Sequence, residues 1–179
     1  DAAALAGWQA LDVGAIAQAW RFFDLGSRAA QQADDPALHA FARLEQAQAL
    51  VDLGQPGAAA VLAQEVWDRE NSAVSSASRC WIAAATAEML ASAQEKQAAV
   101  AMLGKADSAA DSLEGERPPY LVFNATHLAR WVGHTLEILG DSAAEERLRA
   151  AAEGMDGSFT RASASLTLDL ASALLRRGE

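Results

Sequence analysis

Leu11–Trp20 reads LDVGAIAQAW, Val51–Ala60 reads VDLGQPGAAA and Glu137–Glu146 reads EILGDSAAEE. In each, a helical run ends on a glycine and a new one begins within a few residues. Glycine supplies the left-handed backbone conformation that stops a helix and turns the chain. Gln94, in ASAQEKQAAV (Ala91–Val100), holds the equivalent place in the middle, and Gly178 closes the series. Positions 14, 54, 94, 140 and 178 are spaced by 40, 40, 46 and 38 residues.

Seven residues before each of these positions stands a small residue: Gly7, Ala47, Ala87, Gly133 and Ala171. Four or five residues after the first four comes alanine, at 19, 59, 99 and 144, and four further on stand Phe23, Ala63, Leu103 and Leu148. A small residue facing an alanine lets two helices approach closely, so the pattern predicts a helix hairpin, repeated. First helices are expected near 2–13, 37–53, 73–93, 120–139 and 160–177, and second helices near 16–32, 56–70, 96–112 and 142–153. Asp35-Pro36, Asn71-Ser72 and Asp156 to Ser158 read as helix starts, since Asn, Asp and Ser cap helices and proline fits the first turn. Glu114 to Pro119 is the longest expected joint.

The totals agree. Alanine dominates, only four prolines interrupt 179 residues, and no alternating strand-like run occurs; alanine loses no side-chain entropy in a helix. Residues 1–179 are expected to form one domain, cut from a longer chain. The formal net charge of −10 argues against direct nucleic-acid contact, which needs cations to displace phosphate counterions, and against an anionic membrane surface. Cys80 is the only cysteine, which fits a reducing cytoplasm.

Small residue, turn glycine, packing alanine and following large apolar residue resemble the tetratricopeptide repeat, whose period is about 34 residues. The resemblance implies an all-α solenoid of about nine helices, in antiparallel pairs forming a right-handed superhelix. Repeat three departs from the pattern by lacking its glycine, and repeat two by having Ala63 where a large residue is usual. YLVFNATHLARWVGHTLEILGD (Tyr120–Asp141), GMDGSFTRASASLTLDLASALLRRGE (Gly154–Glu179) and LAGWQALDVGAIAQAW (Leu5–Trp20) resemble the C-terminal region of actinobacterial helix-turn-helix regulators of the Xre type. That likeness implies a cytoplasmic transcriptional-regulator domain that senses a ligand or partner, with the DNA-binding head outside this segment. A stand-alone adaptor engaged in protein–protein interaction with a peptide tail is the alternative.

In a tetratricopeptide array the first helices line the concave groove. By register the inward positions are Trp8 and Leu11; Phe41, Leu44, Gln48 and Val51; Trp81 and Glu88; His127, Arg130, His134 and Glu137; then Leu168 and Ser172. The fourth row is entirely polar and lies on one helix face. Three readings of it stay open: a metal site, a grip on a carboxylate or peptide backbone through Arg130 and the histidines, or a polar stripe satisfied by its neighbours. The histidines lie two turns apart, about 10.5 Å along the axis, too far for one ion. No metal or cofactor is expected. Trp131, beside Gly133, reads as core. Asp34-Asp35 and Glu145-Glu146 sit at helix starts, where carboxylates complement the helix dipole. No phosphate loop, metal-protease histidine pair or partner for Cys80 appears, so an enzyme is not expected. The last helix carries Leu166, Leu168, Leu170, Leu174 and Leu175, so a homodimer is a further expectation.

Overall fold

A computed structural model of the chain describes residues 2–113 and 122–177, with residues 111, 112 and 177 described by their backbone only. The Glu114–Pro119 joint, the expected helix start at Tyr120 and the closing Gly178 lie outside the described residues. The rest is all-α. Nine helices follow in order among the described residues: α1 (Ala2–Asp12), α2 (Ile16–Gln32), α3 (Pro36–Asp52), α4 (Pro56–Glu70), α5 (Ser76–Ser92), α6 (Lys96–Ser108), α7 (Ala125–Ile138), α8 (Ala144–Gly154) and α9 (Thr160–Arg177). A short 3₁₀ turn, Ala110–Leu113, follows α6 where a continuous helix to 112 is expected from the sequence. No strand occurs among the described residues.

The turns are made as the glycines predict. Gly14, Gly54 and Gly140 have φ of 75°, 71° and 66°, and Gln94 takes the same conformation at φ 62°. Each is bracketed by the same two backbone bonds; at the first, Gly14 N–H donates to the Leu11 carbonyl and Ala15 N–H to the Ala10 carbonyl. This is the Schellman closure, which satisfies carbonyls that a helix end leaves orphaned. Asp34 (φ 53°) builds the same closure between α2 and α3, a joint the sequence reading assigned only to capping. Asp35 then caps α3 by accepting from Leu38 N–H, with Pro36 in the first turn. The start of α5 differs from expectation. Asn71 ends α4, donating from its side-chain amide to the Trp67 carbonyl, and Ser75 is the cap, accepting from Ser78 N–H.

Close approach within pairs explains the small residues. A Cβ on Gly7 would stand 2.6 Å from the Phe23 ring, and one on Gly133 would stand 2.7 Å from Leu148 Cγ. Phe23 and Leu148 are fully buried against them, as are Ala47 with Ala63, and Ala87 beside the nearly buried Leu103. Where the first helix carries glycine the partner is large; in the second pair alanine faces alanine.

Pairs stack through both of their helices, but unequally. The first helices pack on one another in succession, α1 on α3, α3 on α5, α5 on α7 and α7 on α9. The second helices α2, α4, α6 and α8 do not meet each other among the described residues. The first-helix layer is thus continuous and the outer layer splayed, which bends the array and makes the first helices its inner face. Along them runs the main core, from Ala4 through Leu44, Ile82 and Leu90 to Leu128 and Val132. No helix among the described residues is long and apolar enough to cross a membrane.

Candidate functional site

The inner face encloses a cavity of about 930 Å³. All five first helices contribute to it. From α1 come Leu5, Trp8, Leu11 and Asp12; from α3, Phe41, Leu44, Glu45, Gln48 and Asp52; from α5, Trp81, Ala85, Glu88 and Met89. Helix α7 adds His127, Arg130, Trp131 and His134, and α9 adds Arg161, Ser165 and Asp169. Such volumes suit a drug-sized molecule, and such sites are mostly apolar with a few placed polar groups.

An aromatic row runs along the cavity and into the core. Phe41 and Trp81 have ring centroids 5.8 Å apart, Trp81 and Trp131 6.4 Å, and Trp131 and Phe123 5.6 Å. Tilted and edge-on arrangements of this kind suit the ring quadrupoles. Trp131 is therefore a cavity wall as well as part of the core edge, and its indole N–H donates to Glu88. Trp131 packs against the core as expected, and its polar edge is in addition used inside the groove.

The polar row of α7 divides. His127 Nδ1 lies 2.8 Å from Asn124 Oδ1, the same oxygen that caps α7, and its ring stands edge-on to Phe159. Burial, then nearby Arg130, hold it below the ordinary histidine range, so it is neutral at pH 7. His134 is the opposite case. Its Nδ1 lies 3.0 Å from Asp169 and its Nε2 3.6 Å from Glu88. Burial alone would lower it, but the two carboxylates outweigh that and raise it to about 10. Burial likewise works to raise Glu88, yet His134, the Trp131 N–H and Arg130 hold it below the usual carboxylate range. Arg130 lies over the Trp131 ring at 5.2 Å, with its Nε buried and without a hydrogen-bond partner among the described residues. Glu137 leaves the groove altogether. It is buried and paired at 2.9 Å with Arg176 of α9, because α7 is covered on that side by the last helix.

Glu45 is not in the inward row expected from the sequence, although it stands one turn after Phe41 on the same face. Burial and then the carboxylates of Glu88 and Asp52 push it up to about 7. Asp12, Asp52, Arg161 and Asp169 were missed as well. Val51 packs against the core, and Asp52, one residue on, lines the cavity. The register of α9 was wrong for a plain reason: it hung on Gly178 and on Ala171 meeting a following helix. Ala171 is exposed, Leu168 is 70% exposed, Ser172 also faces out, and the inward row is Arg161, Ser165 and Asp169.

Arg161 does more than line the wall. It reaches across the groove to α1, where its guanidinium lies 4.1 Å from the Trp8 ring centroid and pairs with Asp12. The first and last helices are joined there by side chains alone.

Away from the groove, His39 Nδ1 and Glu70 form a buried contact at 2.8 Å, with Gln31 on the other ring nitrogen at 3.0 Å. Burial keeps His39 below its ordinary range despite Glu70. Cys80 is buried, its thiol pushed up to about 12 by burial and Asp107, and it donates to the Ala106 carbonyl. A thiol so rarely ionised is a poor nucleophile. No group of three or more metal-ligating side chains occurs among the described residues.

Fold and site together define an all-α helical-repeat protein with a binding-sized cavity on its inner face. Comparisons with protein-family models, with curated proteins and with solved structures return no match to this chain.

Proposed function

We propose that this chain is the ligand- or partner-sensing and assembly domain of a bacterial transcriptional regulator, tetratricopeptide-like in its repeats and binding through its inner groove. The observation that carries the reading is the 930 Å³ cavity, to which the first helix of every pair contributes. An occupant there touches each repeat at once, so its binding energy bears on the relative placement of all of them, as a sensor requires. The net charge of −10 leaves DNA contact to a head elsewhere in the full-length protein, and a cytoplasmic location goes with that role.

Two measurements test the proposal. The reading frame upstream of Asp1 is expected to encode a helix-turn-helix unit; a frame without one overturns the regulator reading and leaves the adaptor. In the full-length protein, Gln48→Trp, which fills the groove from a half-buried wall position, is expected to abolish the response to effector and leave DNA affinity unchanged. A response that survives Gln48→Trp refutes the groove.

A further inference from the structure

The charges in the cavity are unevenly used. Arg161 is matched by Asp12. His134, held protonated, stands between Glu88 and Asp169 and leaves one negative charge over. Glu45 and Asp52 face the cavity from α3, and the charges that act on Glu45 are those of Glu88 and Asp52, both negative. Gln48 donates to Asp52 at 3.1 Å, and Arg130, stacked on Trp131, is the remaining cation among the described lining residues. Among the described residues the α3 wall is therefore anionic without a counter-charge, and it adjoins the Phe41–Trp81 pair.

A second observation points to an occupant. Trp81 is 3% exposed, lines the cavity, and its indole N–H has no hydrogen-bond partner among the described residues. A buried donor left unmade costs about 1–3 kcal/mol, so native proteins supply it with a partner. An acceptor on a bound molecule would be one.

We infer that the cavity takes an apolar organic cation, whose charged head sits against Glu45 beside the Phe41–Trp81 pair, with Asp52 adding to the negative field farther along α3, and whose body carries a hydrogen-bond acceptor. Desolvation beside the apolar Phe41–Trp81 pair strengthens the attraction of a carboxylate for a cation. An anion in the same place would meet Glu45, Asp52 and Glu88 together. The inference rests on the groove being the binding site and adds the chemical class of what binds.

Three probes of matched shape test it: benzoylcholine, the neutral ester 3,3-dimethylbutyl benzoate, and the anion hippurate, titrated by calorimetry at pH 8 with tryptophan fluorescence as a second readout. Benzoylcholine is expected to bind at least tenfold more tightly than either counterpart. Glu45→Gln is expected to weaken it about tenfold and leave the neutral ester unchanged, with far-UV circular dichroism confirming the fold. Asp52→Asn is expected to act in the same direction and serves if Glu45→Gln misfolds. Equal or tighter binding of hippurate, unchanged cation affinity in both variants, or no binding of any probe overturns the cation class. Hippurate binding that Arg130→Glu abolishes would keep the groove as a site and remove only the cation. Failure of all probes together with a full-length response that survives Gln48→Trp would remove the groove as well.

Discussion

Replacing Glu45 by glutamine should stabilise the protein, and by an amount that depends on pH. The carboxyl has an ordinary value of 4.5 when unfolded and about 7 when folded, because it is buried beside Glu88 and Asp52. The folded state therefore holds the proton more tightly. The cost of ionising Glu45 is absent below about pH 4.5, grows by about 1.4 kcal/mol for each pH unit above it, and is complete above about pH 7. The difference of 2.5 units sets the ceiling at about 3.4 kcal/mol. Water reaches the carboxylate through the cavity, so a gain of about 1–3 kcal/mol is expected at pH 8.5. A glutamine side chain keeps the shape and cannot ionise. Urea unfolding of both proteins at pH 4.5, 5.5, 7 and 8.5, followed by circular dichroism, gives the difference from the midpoints if the slopes agree. The gain should be near zero at pH 4.5, about 1 kcal/mol at pH 5.5, and level between pH 7 and 8.5. A difference that is flat with pH, or a destabilisation at pH 8.5, would refute the argument that Glu45 is an uncompensated carboxylate.

Other outcomes follow from the same structure. Gly133→Ala puts a methyl 2.7 Å from Leu148 Cγ and 3.1 Å from its backbone nitrogen, and should cost about 1–3 kcal/mol in urea unfolding. Gly104→Ala meets no atom within 4 Å inside α6 and should instead stabilise by about 0.5–1 kcal/mol. Gln94→Gly removes the strain of φ 62° and should raise stability by about 0.5 kcal/mol, after the loss of the Gln94 side-chain bond to the Ala91 carbonyl. His134→Gln strands Glu88 and Asp169 without their cation and should cost about 3 kcal/mol at pH 6. Because His134 is raised to about 10, its contribution is complete below about pH 6.5 and is lost as pH rises through 10. The gap between wild type and His134→Gln, measured by urea unfolding, should therefore narrow from pH 8.5 to pH 10.5.

Most of the fold could be read because each turn is specified locally. Gly14, Gly54 and Gly140 announce a left-handed residue, and a seven-residue offset to Gly7, Ala47 and Gly133 repeats regardless of what surrounds it. Gln94 was legible only by its place in the series, since its own chemistry does not favour φ above zero. The joint between α4 and α5 was misread because asparagine suits both ends of a helix; Asn71 bonds backward to Trp67 while Ser75 caps forward. Groove register carried over along most of α1, α3, α5 and α7, where Trp8, Phe41, Leu44, Gln48, Trp81, Glu88, His127, Arg130 and His134 all reach the cavity. It failed for Glu137, where Arg176 arrives from a helix 39 residues later, and along α9. What no single-helix rule contains is charge balance across the groove. That Glu45 meets no cation among the described residues and that Arg161 meets Asp12 are facts about helices far apart in sequence.

The Arg161 contact with α1 changes what kind of object the repeat array is. A linear stack frays from its ends, and its stability is a sum of neighbour terms. Here α9 touches α1, so the sum acquires a wrap-around term, and neither helix can loosen without giving up a contact with the other. That term is weak. A partly exposed ion pair contributes under about 1 kcal/mol and a cation over an exposed ring about 0.5–1 kcal/mol. Thermal motion can break such a tie often enough to admit a molecule. An occupant large enough to displace the Arg161 side chain would turn a ring into an open coil, and its presence would be felt at the two helices farthest from each other along the chain.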